Sequence, residues 1–379
     1  MRLPLALLFL ATLEASERIV ITNQEQRETR SHAFVHTAGG SFVNTRVPSK
    51  CGWGDSPQCF MFVTLVQGEN CSLSAAPPAY GQCGAGEGAL LTYVTSDLSS
   101  GYWGDPVEVL PAAQRPRGAY ARPHMAYNPA SQTFVLWVSH RAPASAPGDA
   151  GSLLVATCAG AACPGAPFEV AAEAAPLGRA TAGRGAALFV DEDASAYVAH
   201  CVHEGEGGGL AVERLSADWT ASAAAEKTAG AAGAAGGSQA SEVLRLPPGG
   251  GRSAADCDAP AMFKRRGVYY VLFGPRCAFC AEGSETFAFA SSAGPLGPYA
   301  PAGALGNVAR AQMDGVLAHG DVEHVLWMGT AWGKGYGGLD FSPGHWAFLQ
   351  FYAEGESRAA PLIRPMVFYE SFATVVNTP

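Results

Sequence analysis

The chain of 379 residues has little charge, and most of it is of one sign: 24 Lys and Arg stand against 33 Asp and Glu, a net −9, with only 15% of residues charged. Nucleic acid and anionic membrane surfaces call for a basic face, so neither is an expected partner. Also missing is any apolar run near the ~20 residues that a membrane-crossing helix needs. The run Leu3 to Leu10 after Met1-Arg2 is too short for that and is followed by small and polar residues around Ala15-Ser16, so residues 1–16 read as a signal peptide. Leu13 is a poor −3 residue, which leaves an uncleaved anchor as the alternative. Helical periodicity is nearly absent, which argues against a helical bundle. Cys277-x-x-Cys280 has no second copy and no thioredoxin-like βαβ context, which disfavours a zinc or redox pair. Asp191-Glu192-Asp193 has the spacing of a calcium loop but not its glycine or its distal Glu, so a polar hairpin turn is expected there. No cofactor and no metal site are expected.

The 10 cysteines are an even number without a general ligand pattern, as in exported, disulfide-stapled proteins. Close neighbours pair naturally as Cys51 with Cys59, Cys71 with Cys83, Cys158 with Cys163, and Cys277 with Cys280, leaving Cys201 and Cys257 to pair across neighbouring structural units. Asn70-Cys71-Ser72 is an N-glycosylation sequon suited to a surface loop. A secreted, monomeric protein is the expectation.

Short β-rich runs bounded by Gly, Pro, Asn, Asp and Ser recur along the chain, which therefore reads as all-β. One strand type repeats as Ser41-Phe-Val-Asn-Thr, Thr133-Phe-Val-Leu-Trp-Val, Ala196-Tyr-Val-Ala-His, Val268-Tyr-Tyr-Val-Leu-Phe and His324-Val-Leu-Trp-Met. A second type follows each, in the runs beginning at Leu90, Ser152, Gly209, Thr286 and Trp346. Five pairs spaced by roughly 55 to 90 residues suit the four-stranded blades of a five-bladed β-propeller with loop insertions, filling residues 17–379 as one domain. A double-sheet sandwich is the alternative, but it would not repeat one strand order. The Ala, Gly and Ser run over about 221–241 cannot build a core and reads as a disordered loop between the third and fourth blades.

Several motifs then follow one another in a recognisable order. They are Ala121-Arg-Pro-His-Met-Ala-Tyr-Asn128 with Gln132-Thr-Phe-Val-Leu-Trp137, Leu188-Phe-Val-Asp-Glu-Asp-Ala-Ser-Ala-Tyr197, Asp258-Ala-Pro-Ala-Met-Phe-Lys264, Pro295-Leu-Gly-Pro-Tyr299 and Met328-Gly-Thr-Ala-Trp332. Across residues 30 to 352 the chain resembles glycoside hydrolase family 43, in its exo-β-1,3-galactanase-like branch. The resemblance implies a five-bladed propeller with its site at the central axis, and an inverting hydrolysis of a polysaccharide or glycan.

Inverting hydrolysis needs an acid for the leaving oxygen and a group that activates water, roughly 6.5 to 9.5 Å apart. By resemblance Asp258 stands where the family places its acid, normally a Glu; the alternative is a turn cap before Pro260. Gln312 matches a residue thought to orient the attacking water. Asp314, on the same strand face, is the chemically more competent base. His36, Arg122 and His124 are expected to line the pocket, with Trp332 and Trp346 offering apolar faces to a sugar ring. Two departures stand out: the family's Arg-Asp pair is here Arg184-Gly185, and the Glu found before Arg-Pro in many members is Ala121. A catalytically impaired, carbohydrate-binding propeller is the second expectation.

Overall fold

A strand sends successive side chains to opposite faces, so a run that is apolar at successive positions must be covered on both. Thr133–Arg141 is such a run and is buried from Phe134 through His140, and Ala196–Val202 is buried at all seven positions. The computed structural model describes residues 18–21, 37–43, 60–66, 89–95, 105–143, 151–202, 208–228, 239–245, 257–265, 267–274, 287–304, 319–327, 345–352 and 359–369. Among these residues the chain is nearly all β.

The strands form five antiparallel sheets that follow the chain. The first sheet is β2 (Thr37–Val43), β3 (Phe60–Val66), β4 (Ala89–Thr95) and β5 (Val107–Glu108). The second is β6 (Ala119–Asn128), β7 (Thr133–Arg141), β8 (Ser152–Ala159) and β9 (Glu169–Ala172). The third is β10 (Thr181–Val190), β11 (Ala196–Val202) and β12 (Gly209–Arg214). The fourth is β13 (Asp258–Arg265), β14 (Val268–Gly274), β15 (Phe287–Ser291) and β16 (Ala300–Ala304). In the fifth, β17 (His319–Trp327), β18 (His345–Tyr352) and β19 (Ala359–Tyr369) are joined at the edge by β1 (Arg18–Ile21), with Arg18 opposite Tyr369 and Ile21 opposite Met366. Both ends of the described chain thus lie in one sheet. The first strands β2, β6, β10, β13 and β17 are successive neighbours, and β17 returns to β2.

Opposite faces of one strand feed different cores. Phe134, Leu136 and Val138 of β7 pack with Met61, Val63 and Leu90 of the first sheet. Val135 and Trp137 of the same strand pack with Ala186, Val198 and Trp219 of the third. From β11, Ala196 and Val198 face the second sheet, whereas Tyr197 and Ala199 pack with Met262, Val271 and Phe289 of the fourth.

Polar links pin these apolar layers in register. Trp137 Nε1–H donates to the Trp219 carbonyl at 3.0 Å, and Asn128 Nδ2 donates to the Ala217 carbonyl at 2.9 Å, joining the second and third sheets. Trp219 adopts a left-handed φ of 66° in the turn that presents this carbonyl. Between the third and fourth sheets, Asp191 accepts from Lys264 Nζ at 2.9 Å and from the Tyr269 hydroxyl. The Asp191-Glu192-Asp193 segment is the expected hairpin turn, closed by the Asp191 N–H to the Ser195 carbonyl at 2.8 Å.

Two disulfides lie among the described residues, Cys158–Cys163 and Cys201–Cys257, both as the sequence pattern predicts. The second closes a separation of 56 residues. In the chain-entropy account such a closure stabilises by about 4 kcal/mol. The pairs expected at Cys51–Cys59, Cys71–Cys83 and Cys277–Cys280 lie outside the described residues, as does the 1–16 leader.

The repeat read from sequence mixes strand positions. The runs at Thr133, Ala196 and Val268 are second strands, but those at Ser41 and His324 fall in the first strands β2 and β17. Both ends of the 221–241 stretch take defined structure. Ser222 caps α1 (Ala223–Thr228) through its Oγ and the Ala224 N–H at 3.1 Å. At the other end, residues 239–245 pair irregularly with β12, Leu244 opposite Leu210 and Ala240 opposite Glu213, filling the edge place that the third sheet lacks.

Burial alone pushes the Asp191 carboxyl up, but the Tyr269, Lys264 and Glu192 N–H hydrogen bonds outweigh it and hold the group below its ordinary 3.8. A depressed carboxyl contributes stability above its unfolded value and loses it as pH falls through the folded one. Asp191→Ala is expected to destabilise by about 1–3 kcal/mol at pH 7. In urea titrations the gap from wild type should close below about pH 4.

Candidate functional site

Each first strand starts with Gly or Pro among its early residues: Gly39 and Gly40, Pro123, Gly183 and Gly185, Pro260, and Gly320. In β2, β6, β10 and β13 the ladder with the second strand breaks around those residues, and in β17 it breaks further along. Register shifts fall between Thr37 and Gly40, Ala121 and His124, Thr181 and Ala186, Asp258 and Ala261, and Val322 and His324. A bulge re-aims side chains that a regular ladder would commit to packing, which is why bulges gather beside active sites.

Three of these starts touch at Gly185. Its φ is 109°, and a Cβ there would lie 2.9 Å from Arg122 Cδ and 3.2 Å from Pro260 Cδ. Arg122 sits in the β6 bulge with φ 52° and is 3% exposed. Its aliphatic stem therefore fills the room that a side chain at 185 would need. Pro260 follows Asp258 by two residues, so the backbone carrying Asp258 lies at this junction.

His124 follows in the same strand, 6% exposed, and its Nδ1 accepts the Leu188 N–H from β10 at 3.4 Å. That bond places the ring proton on Nε2. Burial first, then the neighbouring Arg122 charge, lowers the imidazole to about 3, so it stays neutral at ordinary pH. A neutral imidazole can donate from Nε2 but carries no proton to give up at ordinary pH.

Of the residues expected in the site, Arg122 and His124 are brought together, and the Asp258 backbone lies beside them, paired with Gly274 at the head of β13. Trp346 lies in β18, opposite Leu326 and Pro365. His36, Gln312, Asp314 and Trp332 lie outside the described residues. Among the described residues no group of three His, Cys, Asp or Glu is disposed to hold a metal ion. Sequence reasoning missed the Gly185 junction; the usable signal was the recurrence of Gly or Pro at every strand start.

A second buried polar group is structural. Glu213 and His200 are both fully buried, with His200 Nε2 3.0 Å from Glu213 Oε1. The same carboxylate accepts the Gly178 N–H at 2.8 Å and the Arg179 N–H at 2.9 Å. Burial pushes Glu213 up, but the His200, Ser222 and Gly178 bonds leave it below the usual range. These bonds tie the approach to β10 onto β12, which makes Glu213 a peg in the third sheet.

No family model matches the chain, and neither does any curated protein. Solved structures do. An exo-β-1,3-galactanase from Clostridium thermocellum superposes with a TM-score of 0.55 at 13% identity, over 94% of this chain and 64% of that one. An exo-β-1,3-galactanase from Phanerochaete chrysosporium, solved with β-1,3-galactotriose, gives 0.52 at 14% identity over 92% and 64%. A thermostable family-43 glycoside hydrolase gives 0.54 at 12% identity, over 93% of this chain and 98% of that one. The chain thus spans about 64% of the length of the two galactanases. What it shares with them is the fold.

Two outcomes follow from the junction. Gly185→Ala combines a left-handed backbone with a contact against Arg122, so thermal denaturation is expected to show a loss of about 1–3 kcal/mol. His124 is neutral when folded and protonates when unfolded, so stability is expected to rise with pH between about 3 and 6.5. In His124→Gln that rise should be shallower, by at most about 1.4 kcal/mol per pH unit.

Proposed function

We propose that the five sheets are the blades of a five-bladed β-propeller and that the protein is a secreted glycoside hydrolase of the family 43 type. The cyclic adjacency of the first strands and the folds shared with family 43 enzymes support this reading. The substrate is a polysaccharide or glycan of galactan, arabinan or xylan type. Residues 1–16 act as the leader, and the mature chain works as an extracellular monomer without nucleic acid or membrane partners. Two disulfides accord with an oxidising compartment.

In the proposed inverting step the Asp258 carboxyl gives its proton to the glycosidic oxygen as the bond from the anomeric carbon breaks. Water adds from the opposite face, oriented by Gln312, and its proton passes to Asp314. Arg122 and His124 bind sugar hydroxyls, joined by His36, Trp332 and Trp346. The observation that carries the reading is the Gly185 junction, which puts Arg122, His124 and the Asp258 backbone at the irregular starts of adjoining strands.

That junction also favours a second reading, a catalytically impaired propeller that binds the same glycans. Residue 121 is Ala, and the place of the Asp that the family resemblance leads one to expect at 185 is filled by the Arg122 stem. An Asp acid is also one methylene shorter than Glu, and a misplacement of ~1 Å can cost ~100-fold in rate.

Hydrolysis of a panel of aryl and natural glycosides, including β-1,3-galactan, separates the two. Turnover by the wild type that falls at least ~100-fold in Asp258→Ala is the expected result. Saturable oligosaccharide binding without turnover would establish the binding propeller.

A further inference from the structure

We propose that the Cys201–Cys257 disulfide is a positioning device for Asp258, an inference that rests on the hydrolase reading. Cys257 immediately precedes Asp258 and is 1% exposed, while Cys201 is fully buried within β11. Upstream, the chain arrives at this point from a long insertion that includes the Ala, Gly and Ser run. Downstream, the ladder gives little immediate support. Asp258 pairs with Gly274, the register then breaks, and regular pairing resumes only at Ala261 with Leu272. The disulfide supplies a covalent constraint a single residue before that break.

The other end of the bond is well held. Cys201 pairs with Leu210 in β12, and its carbonyl accepts the Thr181 hydroxyl at 3.3 Å. Thr181 Oγ1 in turn accepts the Gly183 N–H at 3.0 Å, at the head of the β10 bulge that carries Gly185. One residue of a central strand thus fixes two first-strand starts: β10 through the Thr181 relay, and β13 through sulfur. These are two of the three starts that meet beside Arg122. The bond ties the backbone at Asp258 to the central strand β11. Cys201 and Cys257 are positioning residues, since neither is required to touch substrate.

The test compares wild type with the double variant Cys201→Ser/Cys257→Ser, using Cys158→Ser/Cys163→Ser as a control bond in the second sheet. Steady-state kinetics on the best glycoside of the panel are read beside amide hydrogen exchange. The expected result is a fall in kcat of ~100-fold with KM changed less than ~3-fold, and the control pair unchanged in kcat. Exchange should quicken at 258–263 while β7 and β8 stay protected. A kcat within ~3-fold of wild type, or exchange that rises evenly over all sheets, overturns the proposal. If the double variant does not fold, Cys201→Ala/Cys257→Val, which keeps the buried positions apolar, gives the same comparison. If the wild type turns over no glycoside, the hydrolase reading fails by itself. In that case, unchanged protection at 258–263 in the variant lacking the bond overturns the positioning role as well.

Discussion

The structure depends on sheets that are apolar on both faces. β7 and β11 bury successive side chains, and neither could rest against a single layer. Each sheet needs a neighbour on either side, and each neighbour has the same need. The described cores follow this rule, linking the first sheet to the second, the second to the third, and the third to the fourth through alternate residues of shared strands. The five first strands are successive neighbours in the same order, with β17 returning to β2. Pairing of β1 with β19 then joins the first described strand to the last.

Such packing restricts where chemistry can sit. Within the regular parts of the strands side-chain positions are taken up by cores, and the buried polar groups there are pegs and clamps, such as Glu213 with His200 or Asp191 with Lys264. Freedom returns only where the ladder breaks. All five first strands carry such a break, and three of the breaks converge on Gly185. The candidate site is thus a consequence of the fold's own discontinuities. Its electrostatic character follows from the same crowding, because burial first, and then the neighbouring Arg122 charge, keeps the His124 imidazole neutral.

What could be read in the sequence follows the same division. Second and third strands such as Thr133–Arg141 and Gly209–Arg214 announce themselves through unbroken apolar runs, and the Cys158–Cys163 and Cys201–Cys257 pairs follow from spacing and remainder. First strands are harder to read, since the Gly and Pro residues that look like turns are bulges inside strands. That is why Ser41 and His324 were grouped with second strands, although β2 and β17 are first strands of their sheets. Motif order singles out Arg122 and His124 as candidates, but the approach of Arg122 to Gly185 is not legible, because it joins residues more than sixty positions apart through a backbone angle. The Asp191–Lys264–Tyr269 clamp was hidden for a similar reason, its partners lying in different sheets.

The proposed function requires sugar to bind where the first strands begin. A crystal structure of the protein with β-1,3-galactotriose, the ligand held by the fungal galactanase of similar fold, tests it most directly. The account predicts a sugar ring within hydrogen-bonding distance of Arg122 or Asp258, at the starts of β6 and β13. A trisaccharide seated on an outer sheet edge, or strand starts closed over by their own side chains, would contradict it.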